Sequence, residues 1–245
     1  MNTSHALKGR EDISQFVVHL TRDDRKDFEG GALAEKNFWR IYKDKRIRGF
    51  QAHCLYNPLL AKVDSKISSK FNVACFTETP LNQLHRLVRA IPGRSVVFEP
   101  FGFCFKKQFL VEKGAQQAIY INSYGGNRWL KGSAMSLFNR CVKDGDLAEP
   151  DWRLLPFINA MHEKYDFSWE REWRVLGDLD FKRSDIVCVI LPSEGHDDLK
   201  ETFALAGIAT ISPGWTYEEI VAELASQQRA TRDAVKALEQ LASNA

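Results

Sequence analysis

No run of apolar residues in this chain approaches the roughly 20 that a helix needs to cross a bilayer, so no membrane span is expected. Residues 1–12 are polar, and no secretory leader is expected there. The five cysteines (Cys54, Cys75, Cys104, Cys141 and Cys188) are odd in number, widely scattered and free of any C-x-x-C pair. Cys75, Cys104 and Cys188 lie in apolar runs. They read as reduced, mostly buried thiols of a cytoplasmic protein, and no metal site is expected on these spacings. Neither charge sign dominates: the formal net charge is +2, so any surface for nucleic acid or membrane must be local. The chain also lacks G-x-x-x-x-G-K-[ST], G-x-G-x-x-G, G-x-S-x-G and H-E-x-x-H. Their absence removes most simple NTPase, dehydrogenase, hydrolase and metalloprotease readings. No internal repeat or low-complexity segment occurs.

What is present is an ordinary globular mixture. The 245 residues are 44% hydrophobic and 27% charged, enough for one large domain or two small ones. Residues 1–13 read as a flexible leader. Residues 14–213 read as a single α+β catalytic-like domain, and 214–245 as a C-terminal amphipathic helix. Strands are expected at 16–21, 71–76, 94–98, 101–105, 118–121, 166–175, 185–191 and 208–211. Gly30-Gly31 marks a turn before a helix over 32–42. Pro80 opens a second helix whose face is Leu81, Leu84, Leu87 and Val88. Further helices are expected at 106–113, 133–142, 152–165 and 197–206, the last stopped by Gly207. Residues 122–132 read as a loop. The strand–helix–strand order over 185–211 predicts a parallel pair. Thr216-Tyr-Glu-Glu219 is a capping-box pattern opening a long helix. The apolar positions of that helix are Ile220, Val221, Leu224, Val235, Leu238 and Leu241.

Four stretches carry candidate chemistry. In Asp166-Phe-Ser-Trp-Glu-Arg-Glu-Trp-Arg-Val175, strand alternation places Glu170 and Glu172 on one face, with Trp169, Arg171 and Trp173 on the other. Adjacent carboxylates repel, so the pair points to a cation, a cationic substrate or an acid–base couple; an edge strand guarded by charge is the alternative. His19 and Thr21 share a face of the first strand and suit a hydroxyl-rich ligand, or a hydrogen-bonded core. Phe76-Thr-Glu-Thr-Pro80 places Thr77 and Thr79 where a strand gives way to a helix, suiting an anion or simple capping. Lys36, Arg40, Lys43, Lys45, Arg46 and Arg48 form a basic tract with Trp39 and Tyr42 interleaved, suiting phosphates and bases, or solvent. Asn122–Trp129 reads as a candidate substrate loop, and Lys106 and Lys107 as candidate phosphate contacts. A Mg²⁺-dependent nuclease built on Glu170 and Glu172 would need a further Asp, and no Asp-rich motif supplies one.

The order of these stretches resembles the ADP-ribosyltransferase fold. His19-Leu-Thr21, Phe38-Trp-Arg-Ile41 and Ile47-Arg-Gly49 resemble the opening of the DarT-like nucleic-acid-modifying transferases. Val73-Ala-Cys-Phe-Thr77 resembles their second block, and Glu170-Arg-Glu172 the E-x-E pair of some members. This likeness is discontinuous and covers residues 16–175. The chain also resembles the AbiGi family of bacterial abortive-infection proteins. That likeness rests on Phe16-Val-Val-His-Leu-Thr-Arg22, Cys75-Phe-Thr-Glu-Thr-Pro-Leu81, Phe101-Gly-Phe-Cys-Phe-Lys106 and Glu170-Arg-Glu-Trp-Arg174, and spans most of the chain.

The transferase resemblance implies an α+β protein with a split mixed sheet, flanking helices and a long C-terminal helix. It implies NAD as substrate and a macromolecular acceptor, which the basic tract inclines toward RNA or DNA. His19 and Thr21 would hold the nicotinamide-side ribose, with Phe76 and Thr77 completing the binding set. Glu172 would stabilise an oxocarbenium-like transition state, and Glu170 would position or deprotonate the acceptor. Cys75 stands where many of these transferases carry the tyrosine that stacks on nicotinamide; Phe76 is the substitute at hand. The AbiGi resemblance implies phage defence and offers a different activity: a non-catalytic, antitoxin-like protein that neutralises a partner toxin through the C-terminal helix.

Overall fold

The computed structural model describes residues 14–23, 33–91, 97–126, 128–148, 150–161, 163 and 166–243, with backbone alone for 230, 231 and 234–243. The expected leader, the Gly30-Gly31 turn and most of the strand expected at 94–98 lie outside the described residues; Val97–Glu99 form no strand. The strands are β1 (Phe16–Leu20), β2 (Arg46–Ile47), β3 (Phe50–Gln51), β4 (Asn72–Thr77), β5 (Gly102–Lys106) and β6 (Gln116–Gln117). They continue with β7 (Ile119–Asn122), β8 (Ile158–Met161), β9 (Glu172–Leu176), β10 (Leu179–Asp180), β11 (Ile186–Ile190) and β12 (Ala209–Ile211). The helices are α1 (Ala34–Asp44), α2 (Asn57–Leu60), α3 (Ser65–Ser68), α4 (Lys107–Glu112), α5 (Trp129–Asp144), α6 (Asp151–Leu154), α7 (Asp197–Leu205) and α8 (Tyr217–Ser243).

The main sheet runs in the order β12-β11-β5-β1-β4-β9-β6, with β3 also on β4. It is mixed, as expected. β11 and β12 pair in parallel across α7, while the other pairs of this sheet are antiparallel. Period-two alternation sorts the central strands onto two cores. Val17, Phe103, Phe105 and Val189 pack with Phe38 and Ile41 of α1 and Phe203 of α7. Val18, Leu20, Cys104, Cys188 and Ile190 pack with Leu84, Leu87 and Ile220. A third cluster, including Tyr56, Phe71, Phe138 and Trp152, lies under α5 and α6. Being covered on both faces, the strands need no polar alternation, which is why they read as apolar runs.

The two edges of β4 behave differently. Its outer edge is zipped to β9 from Val73↔Leu176 to Thr77↔Glu172. Its inner edge meets β1 only at Val18↔Thr77, then β3 at Phe50↔Val73 and Gln51↔Asn72. Beyond that single pair β1 and β4 part, and the sheet is split there.

Several expected elements are corrected. The segment 166–175 is not one strand. Ser168–Glu170 is a 3₁₀ turn, Arg171 has φ 48°, and the strand begins at Glu172. The helix expected over 152–165 is α6, a 3₁₀ turn and then β8; Pro156 cannot continue a helix. The helix after Pro80 is a 3₁₀ segment, Leu81–Arg86. Helix α5 starts at Trp129, shortening the expected loop. The capping box of α8 forms: Glu219 accepts from the Thr216 amide at 2.7 Å, and Thr216 Oγ1 accepts from the Glu219 amide at 3.3 Å.

Candidate functional site

A cavity of about 580 Å³ opens where β1 and β4 part. Val18 and Leu20 line it as well as His19 and Thr21. Residues from both faces of one strand thus border the same space, at the point where its ladder to the neighbouring strand ends. Helix α1 contributes Asn37, Arg40, Ile41 and Asp44, the i, i+3, i+4 and i+7 positions of one helical face. Tyr120 and Asn159 arrive from the separate parallel pair β7–β8, where they are in register.

His19 bridges the split. Its Nδ1 lies 2.8 Å from the Cys75 carbonyl, which only accepts, so Nδ1 carries the proton. Burial lowers the His19 pKa below the usual range, the Cys75 bond opposes this, and the charge of Arg22 adds to the lowering. The ring is therefore neutral at pH 7, with Nε2 as an acceptor. The Cys75 thiol is pushed well above its ordinary range by burial and then by the Glu172 charge, so it is not a thiolate nucleophile at neutral pH.

Thr21 is buried, and its hydroxyl reaches the carbonyls of Ala34 at 2.9 Å and Phe101 at 3.1 Å. It ties the end of β1 to α1, leaving only acceptor capacity for a ligand. Thr77 acts as a clamp. Its hydroxyl reaches the Glu170 carbonyl at 2.6 Å and Thr79 Oγ1 at 2.8 Å, and the Glu78 amide donates to the Arg171 carbonyl at 3.1 Å. The end of β4 thus grips the turn carrying Glu170. This corrects the expectation of free N–H groups at a helix start there; the segment behind Pro80 is a six-residue 3₁₀ turn.

Glu170 and Glu172 both line the cavity, although not as neighbours on one strand face. Between them the backbone turns at the left-handed Arg171, so a 3₁₀ turn brings one residue to the cavity and a strand start brings the other. Glu172 Oε2 accepts from Arg174 at 2.7 Å and from Tyr120 Oη at 3.4 Å. Arg174 is 1% exposed, and its guanidinium also donates to the carbonyls of Pro156 at 2.5 Å and His53 at 2.8 Å. Burial works against its charge, and the Glu172 carboxylate outweighs that and keeps it protonated. Burial, then the Glu172 charge, raises the Tyr120 phenol, which stays neutral as a donor.

Phe76 lines the cavity but is only 3% exposed, with the rings of His19 and Phe105 against it. It forms wall rather than an open stacking face. Phe50, 38% exposed, has the Arg22 guanidinium 4.9 Å above its ring at the rim. Of the basic tract, Arg40, Arg46 and Arg48 line the cavity. Arg46 is also held by Asp180 at 2.5 and 2.9 Å. Lys107 is not a ligand contact: it pairs at 3.1 Å with buried Glu78, which also accepts from Trp173 and Gln117. Among the described residues no group of three or more His, Cys, Asp and Glu side chains suits a metal. No described helix is long and apolar enough to cross a membrane.

The sequence assigns no role to Arg174, Tyr120, Asn159 or Asn37, although Arg174 closes one of the stretches behind the AbiGi resemblance. Arg174 was within its reach, because two residues after Glu172 on a strand is the same face. Tyr120 and Asn159 were not, because nothing local announces that β7 and β8 pair. Comparison with protein-family models, with curated proteins and with solved structures yields no match.

Proposed function

We propose that the protein is an ADP-ribosyltransferase-like enzyme that takes NAD as substrate and transfers ADP-ribose to a macromolecular acceptor. One observation carries the reading. His19, Thr77, Glu170 and Glu172, assigned to the site by resemblance and drawn from three separate stretches, line one cavity at a split in the sheet. The cavity volume falls within the roughly 300–1,000 Å³ of small-molecule sites. Its lining also has the chemistry for a dinucleotide: arginines at the rim, apolar and aromatic wall, and polar groups at the strand gap.

In this reading the neutral His19 Nε2 accepts from a ribose hydroxyl. Glu172 faces the positive charge that grows on the anomeric carbon as the bond to nicotinamide breaks, the nicotinamide leaving with the electron pair. Glu170, held by the Thr77 clamp, takes the proton from the acceptor atom that bonds to that carbon. Arg22, Arg40 and Arg48 favour an anionic ligand and incline the acceptor toward nucleic acid. The antitoxin-like reading drew on an apolar stripe of α8, but Ile220 and Leu224 of that stripe pack into the protein's own core.

The test is label transfer from NAD, labelled in its ADP-ribose part, to RNA, single-stranded DNA or lysate protein. Wild type is expected to transfer, and Glu172→Gln to lose about 10²–10³-fold, the range for removal of one electrostatic stabiliser. Absence of transfer by wild type, or transfer indifferent to Glu172→Gln, would overturn the reading. Expressed alone, the wild-type chain is expected to arrest growth and Glu172→Gln to relieve it; a purely neutralising protein would do neither.

A further inference from the structure

We infer that Arg174 is a positioning residue, which anchors Glu172 at Oε2 and presents the carboxylate to the cavity in a fixed orientation; this rests on the transferase reading above. Three features point this way. First, the guanidinium is pinned by groups outside the strand: the Pro156 carbonyl before β8 and the His53 carbonyl after β3. Those two acceptors fix the plane of the fork, so the bond to Glu172 has a set direction as well as a length. Second, Arg174 and Tyr120 both address the same oxygen, Oε2. The carboxylate is thereby held at one end by donors from β9 and from β7.

Third, stability does not account for the arrangement. Arg174 is among the largest fully buried side chains, and its Nε finds no acceptor among the described residues. A buried ion pair is often no better for stability than apolar side chains of similar volume, and an unmet N–H makes it worse. A carboxylate facing a developing cation, by contrast, gains from being charged, oriented and unable to swing away. The guanidinium supplies all three without touching the ligand, since it lies behind Glu172 and does not line the cavity.

The experiment uses full-length Arg174→Lys and Arg174→Ala, with NAD turnover, NAD binding by calorimetry and thermal unfolding measured on each. Lysine keeps the charge and loses the fork; alanine loses both. Turnover is expected to fall about tenfold in Arg174→Lys and about 10²-fold in Arg174→Ala, with the Kd for NAD within about threefold of wild type. Added guanidinium ion is expected to restore part of the turnover of Arg174→Ala, which a merely unfolded protein would not allow. If Arg174→Ala fails to fold, the lysine variant decides. Turnover near the wild-type value in a folded variant overturns the inference while leaving the transferase reading intact. So does a rise in Kd that accounts for the whole loss. A wild-type chain that neither binds nor consumes NAD removes the reading itself, and the inference with it.

Discussion

His19 is a ring kept neutral inside a sheet, and that makes it a source of pH dependence. Its folded-state pKa lies below the ordinary value of 6.5, chiefly through burial. In the window below 6.5 the unfolded chain takes up a proton that the folded chain refuses, so acidification favours unfolding. The slope reaches at most about 1.4 kcal/mol per pH unit for one such group. Melting of wild type from pH 7.5 to 5.5 is expected to show this loss. In His19→Asn, whose amide also donates but does not titrate, the part of the slope due to this residue is expected to vanish; equal slopes in the two proteins would reject the assignment. At this scale the sequence was legible where chemistry is concentrated. His19, Glu170 and Glu172 stand out as residue types, and the cavity gathers them. The geometry behind that was not legible, because strand alternation across Arg171 presumes an extended residue and Arg171 is left-handed.

The β1–β5 ladder sets where His19 stands. Leu20 is in register with Gly102, and a Cβ on Gly102 would collide with the His19 carbonyl oxygen. That contact involves backbone, so a flexible side chain cannot relieve it. Gly102→Ala must push β1 and β5 apart at this point. The expected loss is about 1–3 kcal/mol, the range for overpacking, with His19 displaced from the Cys75 carbonyl. Thermal unfolding checks the first part. The imidazole NMR signals, compared with those of His19→Asn, check the second, and a wild-type melting point would refute it. Elements with one dominant signal were readable: the apolar runs of β1, β4, β5 and β11, the α7 crossover and the α8 capping box. The region 151–161 misled because its aromatic and apolar residues suit a buried helix equally well. Pro156 was the local sign against it, and the partner that makes β8 a strand, β7, lies far away in sequence.

Over the whole molecule, the first turns of α8 tie the helix to the sheet. Ile220 is 4% exposed and Leu224 packs beside it, whereas Val221 is 44% exposed. Ile220→Ala is expected to lose about 2–5 kcal/mol. Thermal unfolding of the variant beside wild type checks this, and a wild-type melting point would show that these turns do not support the fold. The inner edge of β4 gives the site its history. There the His19 ring fills a rung that a backbone N–H would fill in a closed ladder, between the contacts to β1 and β3. An unmet Cys75 carbonyl would be worth about 1–3 kcal/mol of instability, so selection for a folded chain alone is enough to preserve a donor at position 19. At position 170 the grip of Thr77 is on the backbone carbonyl, which any residue there would supply. A donor at position 19 is therefore expected to persist wherever the fold does, whatever the cavity comes to hold.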